Sequence, residues 1–131
     1  VEVWNEFSSI EMSGPYNEDA DVNAALHRAV YSGVKAADRN VKVVGVAADD
    51  WGLYKYGDFD NIDEGFVGKV FAILNGEKCF DYVSIHPYPD PDTSCFEGNK
   101  ESDRFTGDLR SVLQKYGYDY NTGYLLRAWL V

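Results

Sequence analysis

Hydrophobic positions along this chain fall into two alternating kinds of run. Four short segments are mostly apolar on consecutive positions: Val1 to Trp4, Val41 to Ala47, Phe80 to His86 and Gly123 to Val131. Their centres recur roughly 40 residues apart, room for a strand and a crossover helix. Such runs read as strands covered on both faces, as in a parallel sheet. Between them the apolar period changes to that of a helix. Val22, Ala25, Leu26, Ala29, Val30, Val34 and Ala37 make a first stripe, with Asn17, Asp19 or Asp21 available as cap. Phe66, Val67, Val70, Phe71 and Leu74 make a second, opened by Asp60-Asn61 and stopped near Gly76. Leu109, Val112, Leu113 and Tyr116 make a third, stopped near Gly117. The order β-α-β-α-β-α-β calls for right-handed crossovers and a parallel α/β sheet.

The segments after the strands are long and rich in polar and aromatic groups, whereas those before them (Asp38 to Asn40, Gly76 to Cys79) are terse. That asymmetry fits a protein that works at the C-terminal edge of its strands. No linker or low-complexity tract interrupts residues 1–131, so a single domain is expected, long enough to bury a sizeable core.

Charge and composition narrow the partners. A formal net charge of −10 disfavours nucleic acid and anionic membrane surfaces, whose phosphates would repel it. A neutral glycan is indifferent to that charge, and 10 Tyr, 7 Phe and 3 Trp offer faces for stacking on sugar rings or for ordinary packing. No apolar run is long enough for a transmembrane helix, and no basic, apolar leader marks a signal peptide; the compartment stays open, secretion included. Cys79 and Cys95 flank a strand, and a bridge between them would need the following loop to fold far back, so no disulfide is expected. Two widely separated histidines and the lack of Cys-x-x-Cys, Gly-x-Gly-x-x-Gly, Walker and Gly-x-Ser-x-Gly motifs leave no metal site, no cofactor and no serine nucleophile.

Two motifs carry chemistry. Trp4-Asn5-Glu6 closes the first strand, and His86-Pro87-Tyr88 closes the third. A Glu beyond a strand end can protonate a departing glycosidic oxygen, and the amide beside it can hold a sugar hydroxyl. With Asp81 to Tyr88, these residues resemble the ends of the fourth and sixth barrel strands of clan A glycoside hydrolases, nearest the β-xylosidase and α-L-iduronidase family. The resemblance covers nearly the whole chain and implies a partial (β/α)8 TIM barrel, strands four to seven of eight. It implies Glu6 as general acid/base, Asn5 on the sugar 2-hydroxyl, and His86 and Tyr88 lining the site, with Tyr88 bonded to the nucleophilic carboxylate. Trp51 suits either sugar stacking or coverage of the barrel rim. Glu2 is expected to partner an Arg or Lys, His27 to lie on the helix surface, and Asp90, Asp92, Glu97 and Glu101 to form a solvated acidic loop.

The resemblance breaks at the seventh strand. A retaining glycosidase needs a second carboxylate, about 5 to 5.5 Å from the first. The family closes that strand with Thr-Glu-Trp, whereas this chain reads Arg127-Ala128-Trp129. Ala128 cannot attack an anomeric carbon, so little or no turnover is expected. Half a barrel also exposes two sheet edges and an apolar inner face, and is expected to self-associate, to sit within something larger or to be poorly stable. Two other readings remain: a non-catalytic carbohydrate-binding protein on the same scaffold, and a small doubly wound α/β ligand-binding domain.

Overall fold

The computed structural model describes residues 1–5, 7, 14–16, 19–49, 65–86, 109–118 and 124–126. Helix α1 spans Ala20–Ala37, strand β1 Val44–Asp49, helix α2 Phe66–Leu74 and strand β2 Tyr82–His86. Helix α3 covers 109–115 and strand β3 spans Tyr124–Leu126. A short 3-10 turn, Gly14–Tyr16, precedes α1.

The sheet is parallel, in the order β1-β2-β3. The opening segment lies on the free side of β1. Glu2 bridges Val44 in parallel, with Val44 N–H donating to Val1 O at 2.7 Å and Val3 N–H to Val44 O at 2.8 Å. Four consecutive segments therefore lie side by side without reversal, and the mixed α/β class expected from the periodicity is what forms. A doubly wound sheet reverses direction at a switch point; none occurs among the described strands.

Helix α2 forms on the stripe the sequence shows. Phe66, Val67, Val70, Phe71 and Leu74 are all buried. It begins at N-cap Gly65 without a side-chain cap and ends where Asn75 and Gly76 take left-handed backbone; Asp60-Asn61, the expected opening, lies outside the described residues. In α3, Leu109, Val112 and Leu113 are buried, and Gly117, at φ 84°, ends the turn that follows.

Helix α1 corrects the expectation. Of the three candidate caps, Asp19 serves, its Oδ1 accepting from Val22 N–H at 3.0 Å. The buried face is centred on Asn23, Ala24 and His27, with Ala20, Leu26, Val30, Tyr31 and Val34 packed around them, so Leu26, Val30 and Val34 of the expected stripe do face the core. Val22, Ala25 and Ala29 are exposed. His27, expected at the surface, is fully buried.

Two contacts join the layers. Phe71 packs its ring 6.0 Å from Phe80 and 5.5 Å from Tyr118, centroid to centroid, tying α2 to the start of β2 and the end of α3. At the other end of α1, Lys35 Nζ donates to Asp81 Oδ2 at 2.6 Å and to Val41 O at 2.7 Å. The same Asp81 oxygen accepts Val43 N–H at 2.9 Å, and Asp81 N–H donates to Val43 O at 2.7 Å. The Arg28–Glu77 pair, at 2.7 Å, is half exposed on both sides and adds little. Cys79 is a free, buried thiol.

Burial pushes the Asp81 carboxyl up, but the Lys35 ammonium, the Val43 N–H and the charge of Lys42 outweigh it and hold Asp81 below the usual carboxylate range. A depressed carboxyl contributes stability above its unfolded value, about 3.9, and loses it as pH falls through the folded value. Asp81→Ala is expected to cost about 2–3 kcal/mol at pH 7, since it leaves Lys35 half-buried and unpaired. In urea titrations that gap closes as pH approaches 2. Phe71→Ala is expected to cost about 3–5 kcal/mol at either pH, because the loss is a cavity and not a charge.

Candidate functional site

Each strand delivers its last residue to one edge of the sheet. Starting from the Val44–Tyr82 pair, the β1 and β2 ladder runs through Gly45–Val83 and Ala48–Ile85 to Asp49–His86. His86 thus closes β2 with its backbone beside Asp49. The opening segment reaches the same edge at Asn5, an exposed bend residue three positions past the Glu2–Val44 bridge. Neighbouring strands lie about 4.8 Å apart, so the backbones of Asn5 and His86 end on one rim with β1 between them. Glu6, Trp51, Tyr88 and Ala128 lie outside the described residues, as do the acidic loop and Cys95.

The turn after the opening segment is built by packing. Trp4 takes a left-handed φ of 63° and stays half exposed, while Phe7 turns back into the core. Phe7 stacks on Phe66 with ring centroids 5.9 Å apart and meets Trp4 edge-on at 6.1 Å. Asn5 is thereby held between an aromatic anchor and a strand.

One irregularity shapes the same rim. Between Gly45 and Ala48 the register shifts, so that Val46 and Ala47 together stand opposite Ser84. Both bulged residues have positive φ, 75° at Val46 and 45° at Ala47. For residues with a Cβ, and above all for β-branched valine, this backbone costs about 1–3 kcal/mol each. The N–H of Val46 turns toward α1 and donates to His27 Nε2 at 2.8 Å. On the other side of the ring, His27 Nδ1 lies 2.8 Å from Asn23 O. An amide can only donate and a carbonyl can only accept. The ring therefore carries its proton on Nδ1 and is neutral. Burial holds the imidazole below its usual range, and the bond to Asn23 pulls weakly the other way.

Gly45 makes room for this ring. A Cβ there would stand 2.9 Å from Phe80 Cβ and 3.0 Å from Cδ2 and Nε2 of His27. Phe80 closes the pocket with an edge-on contact, centroids 6.3 Å apart. Asn23, one turn earlier on α1, has both side-chain amide atoms buried without a partner among the described residues. On the opposite face of the sheet, Ser84 donates its hydroxyl to Glu2 Oε1 at 2.6 Å.

Sequence reasoning missed His27 and Gly45. The signal was the spacing of Ala20, Asn23, Ala24, His27, Tyr31 and Val34, a complete helical face with two polar members. A glycine inside an otherwise apolar strand also marks close approach by another group.

Elsewhere, a surface depression of about 640 Å³ lies between Pro15, Asp19 and Asp21 on one side and Lys69, Ala72 and Ile73 on the other, on the helical layer. Among the described residues no cluster of three or more His, Cys, Asp or Glu is placed to hold a metal ion, and no helix is long and apolar enough to cross a membrane.

Two glycine substitutions separate crowding from chain entropy. Gly45→Ala is expected to cost about 1–3 kcal/mol by overpacking against His27 and Phe80. Gly33→Ala, where an added Cβ would meet nothing within 4 Å, is expected to gain about 0.5–1 kcal/mol by stiffening α1. Denaturant midpoints of the two variants moving in the same direction would contradict the packing described.

Comparisons with family models, with curated proteins and with solved structures find no match to this chain.

Proposed function

We propose that this chain is built on the middle-to-late strands of a (β/α)8 glycosidase barrel and binds oligosaccharide at the C-terminal edge of its sheet. The ancestral chemistry in this reading is hydrolysis of an O-glycosidic bond with retention. Glu6 is the acid/base, Asn5 holds the 2-hydroxyl, His86 and Tyr88 line the floor, and Trp51 stacks on a neighbouring sugar. No cofactor is required. The observation that carries the reading is the unbroken parallel order with Asn5 and His86 ending on one rim, one strand apart. In a barrel, that rim is where substrates bind.

A retaining mechanism needs two carboxylates, and Ala128 stands where the attacking one belongs. Loss of one member of such a pair removes nearly all turnover while sparing sugar binding. The same residue favours a second reading, a carbohydrate-binding protein that has no hydrolytic role.

Calorimetry with xylo-, gluco- and manno-oligosaccharides, paired with an aryl glycoside assay, tests both. One of these sugar series is expected to bind with Kd near or below about 1 mM, roughly 4 kcal/mol, without turnover. Asn5→Ala is expected to weaken binding several-fold. Ala128→Glu is expected to restore measurable turnover that Glu6→Gln then abolishes. Binding with no gain from Ala128→Glu would favour the binding protein over the disabled enzyme. No heat with any of the three series would end both readings.

A further inference from the structure

We propose that His27 is a proton-sensitive latch that holds the strained bulge of β1 closed and so fixes the strand end carrying Asp49 beside His86. The inference is independent of any carbohydrate. It rests on the coincidence of four features at one point of the fold.

The first is strain. Two adjacent non-glycine residues in mid-strand, Val46 and Ala47, sit in left-handed backbone. Such a conformation persists only where the surroundings impose it. The second is the restraint. The Val46 N–H, turned out of the ladder by the bulge, finds its acceptor in His27 Nε2. The third is a fixed tautomer. Asn23 O takes the Nδ1 proton, so Nε2 is held bare and facing Val46. The fourth is accommodation. Gly45 is the gap that lets the ring reach the strand, and Phe80 closes over it.

Protonation undoes this arrangement at one atom. A proton arriving on Nε2 would face the Val46 N–H, donor against donor. The latch bond is lost, and a positive charge is left in an apolar pocket. The strained backbone then loses its restraint on the helical face, and the ladder beyond it, Ala48–Ile85 and Asp49–His86, is free to relax.

Among the described residues, few charges surround the ring to modify this response. On α1, Arg28 is turned outward to Glu77, and Lys35, two turns on, is engaged by Asp81. From the segment before β2 come Phe80 and Cys79, and burial pushes the Cys79 thiol up to about 11, so it stays neutral. The strand itself brings Gly45 and Val46. The opening, rather than a neighbouring carboxylate, therefore supplies the favourable site for the proton.

The sign follows from linkage. In the open state the imidazole titrates near its ordinary value, about 6.5, and in the closed state lower. Closure is fully favoured above the ordinary value. Below it, each pH unit favours opening by up to about tenfold, until the closed-state value is reached.

Nuclear magnetic resonance on the full, isotope-labelled chain tests the latch. At pH 7.5 the ring nitrogens are expected to show the Nδ1–H tautomer. Below about pH 6.5, exchange protection at Val46 through Asp49 is expected to fall by up to about tenfold per unit until the closed-state value is reached, while Phe71 and Leu113 in the core stay protected. His27→Gln offers a neutral carbonyl acceptor, and there the same amides are expected to stay protected across that range. An Nε2–H tautomer at pH 7.5 would overturn the proposal. So would wild-type protection at Val46 that is flat while His27 titrates, or a fall of equal slope in His27→Gln. The tautomer and the wild-type slope are read without any variant, so misfolding of His27→Gln would leave the test intact.

Discussion

Asp81 sets the level at which everything else begins. Its carboxylate receives the Lys35 ammonium from α1 and the Val43 amide from the approach to β1, and its own amide returns to Val43 O. One side chain thus fixes the height of a helix and of two neighbouring strands. The consequence is register. Side chains alternate between faces along a strand, so a slip of one residue would turn every buried position outward. With Val43 and Asp81 locked, Val83 and the gap at Gly45 share the face under the helices, while Ser84 falls on the other. The count then runs without freedom to Asp49 and His86 at the far edge. A partly buried ion pair is weak as a source of net stability. Its stronger effect here is to exclude alternative registers, because any slip would strand both charges away from water.

The sequence showed those parts of the fold in which apolar burial and local chain chemistry agree. Helix α2 is the clear instance: five apolar residues on one stripe, then Asn75-Gly76, a pair suited to left-handed backbone, at its end. Strands β1 and β2 were visible as apolar runs, though both begin later than the runs do, because Val43 and Asp81 are engaged in the knot between layers instead of the ladder. Helix α1 was visible as a helix, and its face only in part: Leu26, Val30 and Val34 pack on the core as the stripe implies, but the centre of the face lies elsewhere. Its buried side carries an amide and an imidazole, whereas alanines at positions 25 and 29 lie in solvent. A stripe drawn through apolar residues alone is rotated off the true centre of the face when the strand opposite supplies a polar amide that needs an acceptor. The bulge itself leaves no trace in residue type: nothing about Val46-Ala47 announces left-handed backbone, and only the glycine before it hints at close approach. At the candidate site, the motifs at Asn5-Glu6 and His86-Tyr88 were legible as chemistry. Of their geometry, the backbone placement of Asn5 and His86 on a common rim is what parallel pairing determines.

The two edges of the sheet are held by different means. At the start of the strands the fastening is an ion pair with regular backbone bonds, in unstrained conformation. Toward their ends, from the middle of β1 at Val46 and Ala47 and at Trp4 past the opening bridge, the backbone is left-handed, and the contacts that hold it come from a neutral imidazole and from aromatic packing. Strain collects on the edge where the loops carry the polar and aromatic side chains, the division of labour expected of a parallel α/β protein.

That division also explains the polar pair on the opposite face. Ser84 stands across from the bulge, where two residues of β1 meet one of β2 and the ladder is weakest. Its hydroxyl is fully buried and donates to Glu2, a carboxylate on the opening segment two strands away. A buried hydroxyl left unpaired would cost about 1–3 kcal/mol. Bonded to Glu2, it instead ties the opening segment to β2 across β1. The irregular point of the sheet is therefore clasped from both sides, by His27 on the helical face and by Glu2 with Ser84 on the other. The helical clasp depends on a neutral ring, since an imidazole accepts at Nε2 only while that nitrogen carries no proton.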